Sequence, residues 1–324
     1  MCLLGSWIQL KLPYYFSFSK QIIKIGLPIS WDEFYLPTYG LFFSDIKYLI
    51  KMSRRVFSVI VLLLFSVISF SQEKNQITYI ANSGVFIEYN DIKVFIDALH
   101  KEYDKLYQET KRPYPRSMVN GTTPFEHIDL FMITHMHGDH FDSDYMIDFL
   151  TKHEECILVA PQQVIDTMGS VPQLAVQVYS LHDQDKGLMY EMDGMKITSI
   201  PMIHSYPEKN YWVRNMAYLI DFDGLTILHM GDAELTEENF NRIQEVTGGK
   251  VDYALMPYWL FYDEGKQWSR EKIGAKKYIA IHIPTNKTGT FESILKREVV
   301  DADLDLNVFI RIGEFETIQK NEEN

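Results

Sequence analysis

The sequence predicts an α/β fold, a single large domain of alternating strands and helices, and three observations carry that prediction. From Gln76 onward, short runs of β-branched and aromatic residues are broken by turn residues and later alternate with helical stretches. Of the 324 residues, 46% are hydrophobic and 14% aromatic, enough to bury a full core. One strand runs directly into Thr134-His135-Met136-His137-Gly138-Asp139-His140, where three histidines and an aspartate fall within six residues.

Upstream of the domain, Arg54 and Arg55 precede an apolar run over 56–70 and the small residues of Ser69-Phe70-Ser71. The run is too short for a comfortable membrane span, so 52–71 reads as a signal peptide, with an uncleaved membrane anchor as the alternative. Met52 then serves as initiator, and 1–51 becomes a doubtful upstream extension. The rival is a genuine aromatic extension on the cytoplasmic side of an anchor. Export to the periplasm or medium is expected, or membrane attachment through that segment alone.

Residues 77–80, 85–89 and 93–97 read as three strands, with Asn82-Ser83-Gly84 and Asn90-Asp91 as turns, opening an antiparallel sheet. Residues 99–126, with Pro113, Pro115 and Gly121, hold no sustained period and suit a long surface excursion. A strand over 128–134 leads into the histidine run, followed by a helix over 143–153 and a buried strand over 156–160. Further strands are expected at 196–200, 216–221, 225–230, 253–256 and finally 278–283, with a Glu-rich helix over 236–246. No repeat, low-complexity tract or linker divides 72–324, which is one domain.

The formal net charge of −13 argues against nucleic acid, whose phosphates call for clustered Lys and Arg. Seven of the basic residues and three of the acidic ones lie before residue 72, so the domain is more acidic still. Cys156 is the only cysteine after that point, which excludes a disulfide framework.

Imidazole and carboxylate are ligands of borderline divalent metals, and a tight turn at a strand end aims several such side chains at one point. Two histidines two apart suit one ion, and the Asp and next His a second. The run resembles the His-X-His-X-Asp-His signature of the metallo-β-lactamase superfamily. That resemblance implies a four-layer αββα sandwich and a metal-dependent hydrolase domain over 72–324.

Later ligands are expected at the ends of later strands. His204 follows Ile200-Pro201-Met202-Ile203, Asp232 follows Ile227-Leu228-His229-Met230-Gly231, and His282 interrupts an apolar strand. Taken singly, His282 reads as a packed core residue, Gly231-Asp232 as an ordinary turn and His204 as a loop residue; their order beside the run reverses this. By the resemblance, His135, His137 and His204 hold one ion, Asp139, His140 and His282 the other, and Asp232 bridges both. Two ions so placed generate a shared hydroxide near neutral pH, and Asp139 moves a proton to the leaving group. Zinc is the default, with manganese or iron as options.

Asp97 is expected to orient a ligand histidine, and His229 to lie behind the ligands or in the core. His100, His127, His153 and His182 read as surface or supporting groups. Within the superfamily it resembles, an Asp rather than a Cys at 232 implies an ester, lactone or phosphodiester of a small molecule or lipid as substrate and disfavours β-lactam hydrolysis. Strands 79–88 and 94–97 resemble the branch holding ascorbate-6-phosphate lactonase and N-acyl-phosphatidylethanolamine phospholipase D, although Ala98 stands where that branch commonly has Pro. Tyr258, Trp259, Phe261 and Tyr262 are candidates for the substrate pocket, or else an apolar helix packed on the sheet. The competing reading is a binding or sensing module of the same fold without turnover.

Overall fold

Along β2 (Gly84–Tyr89), Val85 and Ile87 face one way and Phe86 the other, and this alternation recurs through most strands of the protein. The computed structural model describes residues 74–182, 187, 189–192, 194–286 and 289–320; the signal-like segment and residues 1–51 lie outside them. Among the described residues, no helix is long and apolar enough to cross a membrane.

Two seven-stranded sheets result. The first is built from β1 (Gln76–Ala81), β2, β3 (Ile92–Ile96), β4 (Leu130–Met132), β5 (Ile157–Pro161) and β6 (Val178–Leu181). The second runs from β7 (Met189–Met192) through β8 (Met195–Met202), β9 (Asn215–Phe222), β10 (Leu225–His229), β11 (Val251–Pro257) and β12 (Ala275–Ile281) to β13 (Leu306–Val308). Strand β14 (Phe315–Thr317) returns to pair antiparallel with β1 on the edge of the first sheet. In each sheet an antiparallel meander comes first and parallel strands follow, from β3 to β6 and from β10 to β13.

Three buried clusters define four layers. Ile77, Tyr79, Val94 and Leu130 of the first sheet meet Tyr218, Ile227, Leu255 and Ile279 of the second. Behind the first sheet, Phe86, Phe95 and Phe131 pack with α1 (Tyr114–Val119), α2 (Ser143–Lys152) and α3 (Gln162–Met168) through Met118, Phe149 and Val164. Behind the second, Leu228, Ala254 and Ala280 pack with α4 (Glu237–Thr247) and α5 (Thr290–Glu298) through Phe240, Ile243 and Leu295. The αββα expectation is met, because each sheet is apolar on both faces and needs a cover on each.

Several elements begin and end where their residues dictate. The Asp142 carboxylate accepts the Tyr145 N–H to cap α2, and the Thr236 hydroxyl accepts the Asn239 N–H to cap α4, which stops at Gly248 with φ +66°. The strand expected over 128–134 spans only Leu130–Met132, and just beyond it the Thr134 N–H is taken by the Asp97 carboxylate at 2.8 Å in place of a neighbouring strand. The strand expected to reach 283 ends at Ile281. There His282 turns to φ +60° and gives its N–H to the Asn82 carbonyl. Both departures occur where the chain leaves the sheet to enter one common site.

Candidate metal centre

At one end of the sandwich the two sheets are tied by hydrogen bonds rather than by apolar packing alone. Tyr218 Oη donates to Ile133 O at 2.7 Å, Met216 N to Thr134 O at 2.9 Å, and His229 Nε2 to Ser83 O at 2.9 Å. The carboxyl ends of β3, β4, β8, β10 and β12 all open onto this end. They carry Asp97, the histidine run, His204, Asp232 and His282 respectively.

All seven expected ligands converge there, and only His137 is more than marginally exposed. Ligand atoms of His135, His137 and His204 lie within 4.8 Å of one another, as do those of Asp139, His140 and His282 and those of His135, His140 and Asp232. Asp232 spans the last two groups, its Oδ1 3.2 Å from His140 Nε2 and its Oδ2 3.3 Å from His282 Nε2. Asp139 Oδ2 is 3.4 Å from His282 Nε2.

The ring orientations have a chemical cause. Asp97 is fully buried and accepts from Thr134 N, from Thr134 Oγ1 at 2.6 Å and from His140 Nδ1 at 2.8 Å. Having donated to Asp97, the Thr134 hydroxyl can only accept from His135 Nδ1, 3.0 Å away. One carboxylate thus fixes a proton on Nδ1 of both rings, directly for His140 and through the Thr134 hydroxyl for His135, and turns both Nε2 atoms toward the site. His204 reaches the same state by donating Nδ1–H to Ser205 O at 2.8 Å. Asp97 makes these bonds at φ +48°, a conformation Asp tolerates better than most residues.

His229 is buried behind the ligands, its Nδ1 accepting the Gly231 N–H at 3.2 Å while Nε2 holds Ser83. Gly231 itself has φ +54°, and a β-carbon there would stand 2.4 Å from Asn215 Oδ1 and 2.8 Å from Thr134 Cβ. Only glycine lets Asp232 turn in beside the first sheet.

Electrostatics divide the cluster. Burial, with His140 and His204 nearby, pulls His137 down to about 4, and burial dominates the lowered values of His135 and His204. Burial opposes charge on His140 and His282 too, yet Asp232 and Asp139, with Asp97 in the case of His140, prevail. His140 is held well above its ordinary value and His282 rises to about 9. The two carboxylates are depressed in return, against burial, by the same two histidines.

Of the four aromatic candidates, Trp259 alone reaches the centre, with its ring centroid 4.9 Å from that of His282 and Nε1 donating to Ala233 O. Phe261 is buried in the outer core, and Tyr258 and Tyr262 pack on that core, Tyr258 against Phe291. A short 3₁₀ turn at Tyr258–Phe261, not a continuous helix, divides the segment in this way. His100 is buried rather than on the surface, Nδ1 on Lys101 O, and burial brings it down to about 4. His153 stacks on Phe149 and bonds Met118 O, while His127 and His182 are exposed.

Two asparagines escaped the sequence reading. Asn82 Nδ2 donates to Asp139 Oδ2 at 2.9 Å, and Asn215 Oδ1 accepts the Asp232 N–H at 3.2 Å. Asn82 had shown only its turn propensity, and nothing local marks Asn215.

The family model for the β-lactamase superfamily domain matches residues 76–257, more than half of the chain, and the chain belongs to that superfamily. Among its relatives is a UPF0173 metal-dependent hydrolase of Thermococcus onnurineus, 27% identical over 164 residues, with 48% of this chain and 67% of the relative covered. A second, from Pyrococcus furiosus, is 27% identical over 137 residues, covering 41% and 55%, so this chain spans little more than half of its length. In fold it is similar to Igni18, a metallo hydrolase of Ignicoccus hospitalis, with TM-score 0.53 and 20% identity over 76% of this chain and 99% of that one.

Proposed function

We propose that the chain is a metal-dependent hydrolase that holds two divalent cations and cleaves an ester, lactone or phosphodiester bond of a small molecule or lipid. His135, His137 and His204 would hold one cation, Asp139, His140 and His282 the other, with Asp232 between them; zinc is the first choice. The observation that carries this is a set of buried polar atoms without a well-formed hydrogen bond. Nε2 of His204 has no partner, and Nε2 of His140 and of His282 face Oδ1 and Oδ2 of Asp232 at 3.2 and 3.3 Å without one, all at the same point. Leaving each unsatisfied costs about 1–3 kcal/mol, which cation binding would offset.

Such cations supply Lewis acidity and bring the pKa of a coordinated water toward neutrality. The protein's own groups do the rest. Asp97 and Thr134 hold the rings of His135 and His140 in the ligating tautomer, and Asn82 fixes the Asp139 carboxylate at Oδ2. From there Asp139 takes the proton of the nucleophile and delivers it to the leaving group.

A panel of p-nitrophenyl esters, bis-p-nitrophenyl phosphate and lactones, with zinc, manganese or iron, tests the reading. Turnover is expected on at least one class, abolished by chelators and reduced about 100-fold or more by Asp139→Ala. Turnover indifferent to both would overturn it. Bound metal without turnover on any class would support a binding or sensing module instead.

Proton linkage gives a second expected result. His282, at about 9, and His140, held well above its ordinary value, are both protonated at pH 7 without cations. These raised values stabilise the cation-free fold below the ordinary histidine pKa, and that contribution is lost as pH rises through about 9. Cation binding must displace both protons, so affinity climbs with pH up to that value. Calorimetric zinc titrations at pH 6 and pH 8, in buffers of different ionisation enthalpy, should show proton release and tighter binding at pH 8. Equal affinity without release would contradict the coupling.

A further inference from the structure

Between β3 and β4 lies a tyrosine pair that the proposed mechanism leaves without a role. Tyr103 is 58% exposed, yet its ring sits on Gly138, in the middle of the ligand run. A β-carbon at Gly138 would stand 2.6 Å from Tyr103 Cδ2. Gly138 is not among the glycines with positive φ, so its missing side chain serves the approach of this ring and not the backbone. Tyr103 stacks on Tyr107, with centroids 6.3 Å apart and planes 28° apart, and Tyr107 meets the His282 ring edge-on at 5.0 Å.

The segment is anchored at its far end. Asn82 N donates to Gln108 O at 2.9 Å and Thr285 N to Leu106 O at 2.8 Å. Trp259 meets the same His282 ring at 4.9 Å. A ring packed over the ligand run, with more than half of its surface in solvent, is placed to contact something that enters the site.

We propose that Tyr103, backed by Tyr107, is a stacking platform that selects substrates carrying a planar aromatic group beside the bond to be cleaved. This rests on the two-cation reading above. Phenylphosphonate and methylphosphonate share one anionic head and differ in the ring, so their binding to the zinc-loaded protein, followed by calorimetry, isolates the platform. The wild type should prefer phenylphosphonate about three- to tenfold. Tyr103→Ala should remove that preference, as should Gly138→Ala by displacing the ring, while Tyr103→Phe should keep it. A wild type without preference, or a preference that survives Tyr103→Ala, would overturn the platform and leave the cation centre standing. Failure of both phosphonates to bind the zinc-loaded protein would overturn the platform, while the zinc content of the same protein decides the cation centre separately.

Discussion

Asp97→Ala is expected to cost about 3–5 kcal/mol of stability and to weaken zinc binding about 100-fold, although Asp97 faces none of the orphaned lone pairs. Its carboxylate is the acceptor for Thr134 N, Thr134 Oγ1 and His140 Nδ1, all fully buried. Alanine would orphan three donors at once and free the Thr134 hydroxyl to donate toward His135, which reverses that ring's tautomer. His135 and His140 belong to different ligand groups, so the affinity of both cations should fall. Asp97→Asn should not restore it, because one of its two acceptor atoms becomes a donor facing donors. Urea unfolding and competitive zinc titration measure the two effects. Unchanged zinc affinity in a folded Asp97→Ala protein would contradict this account of the centre.

Removing the cations is expected to destabilise the whole domain, not only the site. The candidate ligands come from the ends of β4, β8, β10 and β12 in opposed sheets, so a bound cation would brace the two layers against each other. With free zinc at 100 times its dissociation constant, each cation adds about 2.7 kcal/mol. For a domain of this size that is about 5–10 °C in Tm. Thermal unfolding with and without chelator measures it, and Asp232→Ala, which removes the shared carboxylate, should shrink the difference. Equal Tm values with and without chelator would exclude a cation between the sheets.

The seven converging residues were legible because the first four fall within six residues and the rest follow apolar strands, a pattern that local sequence displays. The central strands were legible for the same reason, since Val85-Phe86-Ile87 and Val94-Phe95-Ile96 are apolar on both faces. Strands β6, β7, β13 and β14 were not. They are three or four residues long and lie at or near sheet edges, and β14 includes the largely exposed Phe315. It exists only because β1, far off in sequence, offers it a free edge. Asn82 and Tyr107 were missed on similar grounds, for each is an ordinary turn or loop residue until folding brings Asp139 or His282 beside it. The aromatic run 258–262 shows the converse: composition left a pocket lining and a packed helix both open, and a single 3₁₀ turn sends Trp259 to the centre and Phe261 into the core.

The central claim is a centre of two cations, each with its own set of ligands. Native mass spectrometry of zinc-equilibrated protein addresses it most directly, comparing the wild type with His204→Ala and His282→Ala, which strike different ligand groups. The account predicts two zinc ions per wild-type chain and one in each variant. A wild type that binds one ion or none, or variants that both retain two, would contradict it.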